Sequence, residues 1–89
     1  MGLDVVNFPI LNGVITADNV YINLRDISTT KEGTNFNVEF RYLIYKNKIF
    51  IESGYIKREN IVLNGNIWVF CYDLLKDDFR TKNLNFTDN

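Results

Sequence analysis

Eighty-nine residues are enough for one folded domain and too few for two, and 46% hydrophobic against 24% charged residues excludes a disordered chain. Ten basic and eleven acidic residues give a net charge of -1, which excludes a strongly basic surface for nucleic acid. No apolar run approaches the roughly 20 residues of a membrane-spanning helix, so neither nucleic acid nor a membrane is expected as a partner.

The sequence lacks the features that most hydrolase mechanisms require. The sequence has no histidine, which is the commonest general base and metal ligand, and its five glycines form no phosphate-binding loop. Cys71 is the only cysteine, and its place on an apolar helical stripe predicts a buried, inert thiol. The sequence therefore predicts no catalytic, cofactor-binding or metal-binding residue, and no enzyme.

Two suitably placed carboxylates would be enough for a glycosidase, so the acidic residues are possible catalytic groups. Glu39 and Glu52 are predicted on one outer face of a sheet, close to Arg41. We interpret them as a solvated charge cluster, since so small a domain offers little room for a cleft. The aspartates between residues 73 and 78 do not have the alternating ligands and central glycine of a calcium loop.

The opening residues 3–15 are mostly apolar and are interrupted by Pro9 and by Asn12-Gly13. Proline cannot donate to a ladder, and Asn-Gly favours a tight turn, so the pattern predicts an edge strand or arm followed by a turn. This segment could pack on its own domain or reach across to a neighbouring subunit.

Residues 19–27 alternate, with Val20, Ile22 and Leu24 on one side, which predicts a half-buried strand. Residues 28–35 are polar and include Gly33 near their end, which predicts a loop between two strands.

Residues 36–45 and 48–57 are predicted to form a hairpin through the two-residue turn Lys46-Asn47. This register opposes Leu43 to Phe50 as a hydrophobic pair and Arg41 to Glu52 as an ion pair. On the other face, it brings together an almost wholly apolar set that includes Phe36, Val38, Phe40, Tyr42, Ile44, Ile49 and Ile51.

A helix of about ten residues is predicted from Ile67, with Asn64 or Asn66 as its N-cap. Its apolar stripe is expected to cover the apolar sheet face. The stripe has helical spacing and consists of Ile67, Phe70, Cys71, Leu74 and Leu75. Residues 81–89 are predicted to be a polar C-terminal tail, extended or loosely attached.

Together these elements predict an α+β fold that is mainly antiparallel β. We expect a small sheet or sandwich of four to five strands, with one short C-terminal helix packed on one face. Residues 1–80 would form the single domain.

Exposed apolar residues are the remaining candidates for function. Leu43 and Phe50 are predicted on the face away from the helix with Tyr21 and Tyr45 nearby, and Trp68 and Tyr72 are predicted on the helix flank. Such a patch is typical of an interface. The predicted partner-binding residues are Tyr21, Leu43, Tyr45, Phe50 and Trp68. In the alternative interpretation, the opening segment covers this face and the domain is a sandwich.

Residues 17–76 combine five features. A strand opens on Asp18-Asn19-Val20-Tyr21-Ile22-Asn23-Leu24, a lysine-containing polar loop and two further strands follow, and the last is the segment Asn64-Gly65-Asn66-Ile67-Trp68-Val69-Phe70-Cys71-Tyr72-Asp73-Leu74-Leu75-Lys76. This arrangement resembles a group of small tailed-bacteriophage proteins encoded among virion genes. The resemblance implies a virion structural protein at the tail or its attachment region, present in several copies among other virion proteins. It also implies localisation in the virion, and in the host cytoplasm during assembly.

A phage-encoded inhibitor of a host enzyme or defence system is the alternative, because such proteins are also short and lack catalytic residues. The net charge of -1 argues against an acidic mimic of DNA. An enzyme would need carboxylates or tyrosine hydroxyls from several subunits to meet at an interface.

Overall fold

A computed structural model describes residues 2–63 and 65–89 of the chain. The elements, in chain order, are β1 (Leu3–Ile10), β2 (Ile15–Glu32), β3 (Asn35–Lys46), β4 (Ile49–Ile61), α1 (Ile67–Thr81) and β5 (Asn85–Asp88). The strands form one antiparallel sheet in the order β4-β3-β2-β1-β5. α1 packs on one face of this sheet, here called the inner face. The predicted α+β fold is confirmed, in its single-sheet form.

The alternation predicted for β2 and β3 is confirmed. Val20, Ile22 and Leu24 are buried in β2, and Phe40 is fully buried in β3. β2 is longer than expected, because residues 28–32 continue to pair with β3 and the turn occupies only Gly33 and Thr34. The predicted polar loop at 28–35 was therefore wrong: residues 28–32 form a strand whose own side chains are all exposed, so it has no apolar alternation that the sequence could show.

The turn between β3 and β4 uses Asn47 and Lys48 rather than Lys46 and Asn47. Both residues have positive φ, 51° and 67°, as both central residues of a type I′ turn require. The strands twist correctly only around such a turn, and asparagine tolerates this conformation well. The turn opposes Tyr45 to Phe50, so the predicted pair of Leu43 with Phe50 was wrong.

An irregularity in β4 then changes which of its residues face the helix. The register shifts between the Tyr45–Phe50 pair and the Ile44–Glu52 pair, with one extra residue, Ile51, on β4. Because side chains alternate along a strand, this insertion exchanges the two faces of β4 from Glu52 onward relative to the prediction, whereas Phe50 keeps its predicted face. Arg41 consequently faces Tyr55, and the predicted Arg41–Glu52 ion pair was wrong.

α1 starts where the sequence indicated and ends later. The Asn66 side-chain oxygen accepts hydrogen bonds from the backbone N–H groups of Trp68, at 2.8 Å, and Val69, at 3.3 Å. The other predicted cap, Asn64, lies outside the described residues. The helix runs for 15 residues and buries two residues beyond the predicted stripe, Tyr72 and Phe79.

β1 is not the edge strand that its sequence suggested. It lies between β2 and β5, and Leu3 pairs with both Ile22 and Asp88. Pro9 is accommodated because β5 begins beside Val6, so that no strand among the described residues lies along that side of Pro9. Residues 81–89, predicted to be an extended or loosely attached tail, include the whole of β5.

The sheet is strongly coiled around the helix. The backbone N–H of Leu11, at the tip of the first hairpin, donates to the Glu52 carboxylate of β4 at 2.9 Å, although β2 and β3 lie between their strands. Beneath this closure Phe79 packs its ring at 5.6 Å from that of Phe8 and at 6.0 Å from that of Tyr42. The coiling encloses the core on the inner face and leaves the other face convex.

Candidate functional site

Four predicted partner-binding residues lie together on the face of the sheet away from α1. Tyr21 of β2 pairs with Tyr45 of β3, and Tyr45 pairs with Phe50 of β4, their rings 5.9 Å apart and edge to face. Leu43 lies two residues from Tyr45 on the same side of β3. We call Tyr21, Leu43, Tyr45 and Phe50 the outer patch.

No described element covers the outer patch. The opening segment lies in the sheet as β1 and does not fold over it, so the sandwich alternative was wrong. Phe50 is 51% exposed, and Leu43, Tyr21 and Tyr45 are partly exposed. Two open grooves, of about 450 and 470 Å³, follow the Tyr21–Tyr45 pair. The first is lined by Asp4, Tyr21, Asn23, Tyr45, Lys48 and Asn89.

Trp68, the fifth predicted residue, does not join the outer patch. It is 47% exposed on the first turn of α1, against the inner face. It lines another groove of about 400 Å³ at the edge of β2, together with Leu24, Arg25, Tyr72 and Asn23, which also lines the first groove. The structure therefore divides the predicted site in two.

Tyr72, predicted to project from the helix flank, is buried. Its hydroxyl oxygen accepts a hydrogen bond from the backbone N–H of Leu24 at 3.4 Å. Leu24 lies just beyond the last pair of β1 with β2, so the hydroxyl occupies the position where a β1 carbonyl would otherwise be. Burial raises the pKa of Tyr72, which keeps the phenol neutral.

The polar groups beside the outer patch are paired with one another on the surface. Arg41 forms an ion pair with Asp26 at 3.3 Å, and the Tyr55 hydroxyl donates to the Glu39 carboxylate, which raises the pKa of Tyr55. Glu52 lies on the inner face, so the two carboxylates predicted on one face are on opposite faces. Glu39 and Glu52 therefore do not face one another as the paired carboxylates of a glycosidase would.

Cys71 is fully buried against the sheet, as predicted from its place on the helical stripe. Burial raises the pKa of its thiol to about 11, so the thiolate is scarce at neutral pH. In residues 2–63 and 65–89, no three acidic or thiol side chains form a possible metal site.

Sequence reasoning missed one feature of this region, a free strand edge. β1 pairs with β2 only as far as Ile22, whereas β2 continues to Glu32. Residues 25–32 therefore have β3 on one side and, within the described part of the chain, no strand on the other. The edge was missed because residues 28–35 were predicted to be a loop rather than part of a strand.

No family model, no curated protein and no solved structure matches the chain. Nor does the described part of the chain contain a helix with the length and apolar character needed to cross a bilayer.

Proposed function

We propose that this protein is a bacteriophage structural protein that assembles with other virion proteins at the tail or its attachment region. It acts by binding and has no catalytic role. The observation that carries the binding function is the uncovered outer patch, in which Tyr21, Tyr45 and Phe50 form one row across three strands. The virion role is supported by the resemblance of residues 17–76.

The composition of the outer patch favours a protein partner. Aromatic residues are enriched at the centres of protein interfaces, because they contribute a large apolar area with few rotatable bonds. Phe50 and Leu43 add apolar surface beside two tyrosines, whose hydroxyls can hydrogen-bond across an interface. A contiguous apolar surface is costly to leave in water, and a partner that covers it recovers that free energy.

The patch can be tested by charge insertion. Leu43→Asp and Phe50→Asp each place a carboxylate where a partner would desolvate it, so both variants should be lost from purified particles. Val14→Asp is the matched control, because Val14 is 80% exposed on the first hairpin and lies outside the patch. Mass spectrometry of the particles measures incorporation, and circular dichroism shows that each variant is folded.

If a variant carrying both Leu43→Asp and Phe50→Asp is incorporated normally, the outer patch is not needed for assembly. The same measurement on the unmodified chain tests the virion role itself. A structural protein is present in the particle in a fixed ratio to its neighbours. Absence from the particle, together with expression early in infection, would instead identify the inhibitor alternative.

A further inference from the structure

The free edge of β2 is long enough to receive another strand. Beyond Leu24, whose N–H is bound by Tyr72, residues 25–32 present one unpaired side along eight residues. Seven of these residues are exposed, and Ile27 is partly exposed. Unpaired N–H and C=O groups of such an edge are a template for strand addition.

The edge carries two charged residues at each end, Arg25-Asp26 at one and Lys31-Glu32 at the other. Asp26 pairs with Arg41, and Glu32 accepts a hydrogen bond from the Asn37 side chain at 2.8 Å. Arg25 and Lys31 form no ion pair with any residue that the structure describes. The outermost residue is a cation at one end, Arg25, and an anion at the other, Glu32, so these two positions are complementary to those of an antiparallel copy.

We propose that a second copy of this chain adds to residues 25–32 in antiparallel orientation, about a two-fold axis at Thr29. An axis perpendicular to the sheet brings outer-face residues against outer-face residues. Thr29 then opposes Thr29 of the second copy, and Ser28 opposes Thr30. Pairs of hydroxyl residues of this kind stabilise neighbouring strands.

A β-bulge within β2 brings Arg25 opposite Glu32 of the second copy in this register. In the backbone register of β2 and β3, Arg25 lies opposite Arg41 and Ser28 lies opposite Glu39. Asp26 and Ile27 together therefore occupy the place of one residue. Arg25 therefore shares the outer face with Ser28, Thr30 and Glu32 and opposes Glu32 of the second copy. The two-fold axis repeats this ion pair, so the dimer contains it twice.

Other registers that keep outer residues together lose these pairs. If the axis lies at Ser28, Arg25 opposes Thr30 and Lys31 opposes Leu24, which is buried. If the axis lies at Thr30, Glu32 opposes Ser28 and Arg25 has no partner. Only the axis at Thr29 pairs both unlike charges.

Trp68 lies where the added strand would end. Arg25 lines the same groove as Trp68. Because Glu32 of the second copy lies opposite Arg25 in the dimer, the turn at Gly33 of that copy reaches this groove. Trp68 is the only tryptophan of the chain. Its fluorescence should thus change with protein concentration as the dimer forms.

Paired charge reversals test the proposal with the full chain. Arg25→Glu and Glu32→Arg each create two like-charge contacts in the dimer, so either variant alone should sediment as a monomer at concentrations where the unmodified chain dimerises. An equimolar mixture should form a heterodimer, because Glu at 25 then meets Arg at 32 and the remaining Arg25 meets Glu32. The variant carrying both reversals should dimerise alone.

Lys57→Glu is the matched control, since Lys57 is an exposed residue of β4, outside this edge, and should leave the dimer intact. A monomeric unmodified chain, or dimers of both single variants, would overturn the proposal. Thr29→Cys gives a second readout, because opposed residues of antiparallel strands have Cα atoms about 4.5–5.5 Å apart, within reach of a disulfide. With oxidised glutathione, that variant should form a covalent dimer, whereas a Lys57→Cys variant should not.

This inference deepens the proposed assembly function but has a separate test. Leu43→Asp and Phe50→Asp lie on the outer patch and should leave the dimer intact. If the outer-patch variants are lost from particles but still dimerise, the result supports the role of the outer patch and says nothing of the dimer. If the mixture of charge-reversal variants forms no heterodimer, the dimer proposal is refuted and the outer-patch proposal is unaffected.

Discussion

The ring of Tyr42 lies directly over Gly54, its partner on the neighbouring strand, in the space that a Cβ atom at position 54 would occupy. An aromatic side chain covering a glycine across two strands shields the backbone and fills the gap left by the missing side chain. Tyr42 also packs edge to face on Phe79 of the helix, with ring centres 6.0 Å apart. The glycine thus allows β3, β4 and α1 to meet around one tyrosine.

Gly54→Ala should destabilise the fold by about 1–3 kcal/mol, because the added methyl group forces the buried Tyr42 ring to move. Urea denaturation measures the loss. Ser53→Ala, one residue away on the exposed outer face, is the control and should change little. If the clash is the cause, a Tyr42→Leu background should show a smaller effect of Gly54→Ala, and equal effects in both backgrounds would refute it.

Phe79→Ala should cost about 3–5 kcal/mol, the range for removing a fully buried phenylalanine. Phe79 is fully buried and contacts the rings of Phe8, Tyr42 and Phe86, so its loss leaves a cavity between the first hairpin, β3 and β5. Thermal unfolding measures the change. Val69→Ala, on an exposed part of the same helix, is the comparison, and similar losses for both variants would contradict this account of the core.

Asn66→Ala should destabilise the fold by about 1 kcal/mol, since two N–H groups of the first helical turn lose their acceptor. Asn66→Asp retains the acceptor oxygen and adds a negative charge at the positive end of the helix dipole, so it should be at least as stable as the parent. Chemical denaturation of the three proteins checks the order. A loss in the aspartate variant equal to that in the alanine variant would exclude the cap.

Stability should fall above pH 9 because of Cys71. Its thiol has a pKa of about 11 in the folded chain against 9.0 for the unburied group, so between these values the unfolded chain releases a proton that the folded chain retains. The contribution is complete below pH 9 and decreases by about 2–3 kcal/mol as the pH rises through 11. Tyr42 and Tyr72, whose pKa values burial also raises, act in the same direction at higher pH.

Cys71→Ala isolates the thiol, since this variant retains both tyrosines. Urea denaturation of the two proteins from pH 8 to pH 10.5 should show a difference in unfolding free energy that shrinks as the pH rises. A difference that stays constant across this range would show that the thiol does not titrate between the two states.

The outer patch was only partly predictable. The faces of Tyr21, Leu43 and Tyr45 follow from alternation along β2 and β3, because neighbouring side chains of a strand point to opposite sides. Phe50 reached the predicted face for a different reason than expected. The sequence suggested Leu43 as its neighbour, whereas the type I′ turn at Asn47 and Lys48 places it against Tyr45.

Local signals by themselves determined the alternation of residues 19–25 and 36–45, the start of the helix at Ile67 and its cap at Asn66. Each of these depends on atoms within a few residues of one another, through side-chain periodicity or a capping hydrogen bond. Only the tertiary structure decided three other features. These are the register of β4, the position of β1 between β2 and β5, and the free edge at residues 25–32. Turn geometry, inserted residues and contacts between distant parts of the chain set these features, and none of the three has a local signature in the order of apolar and polar residues.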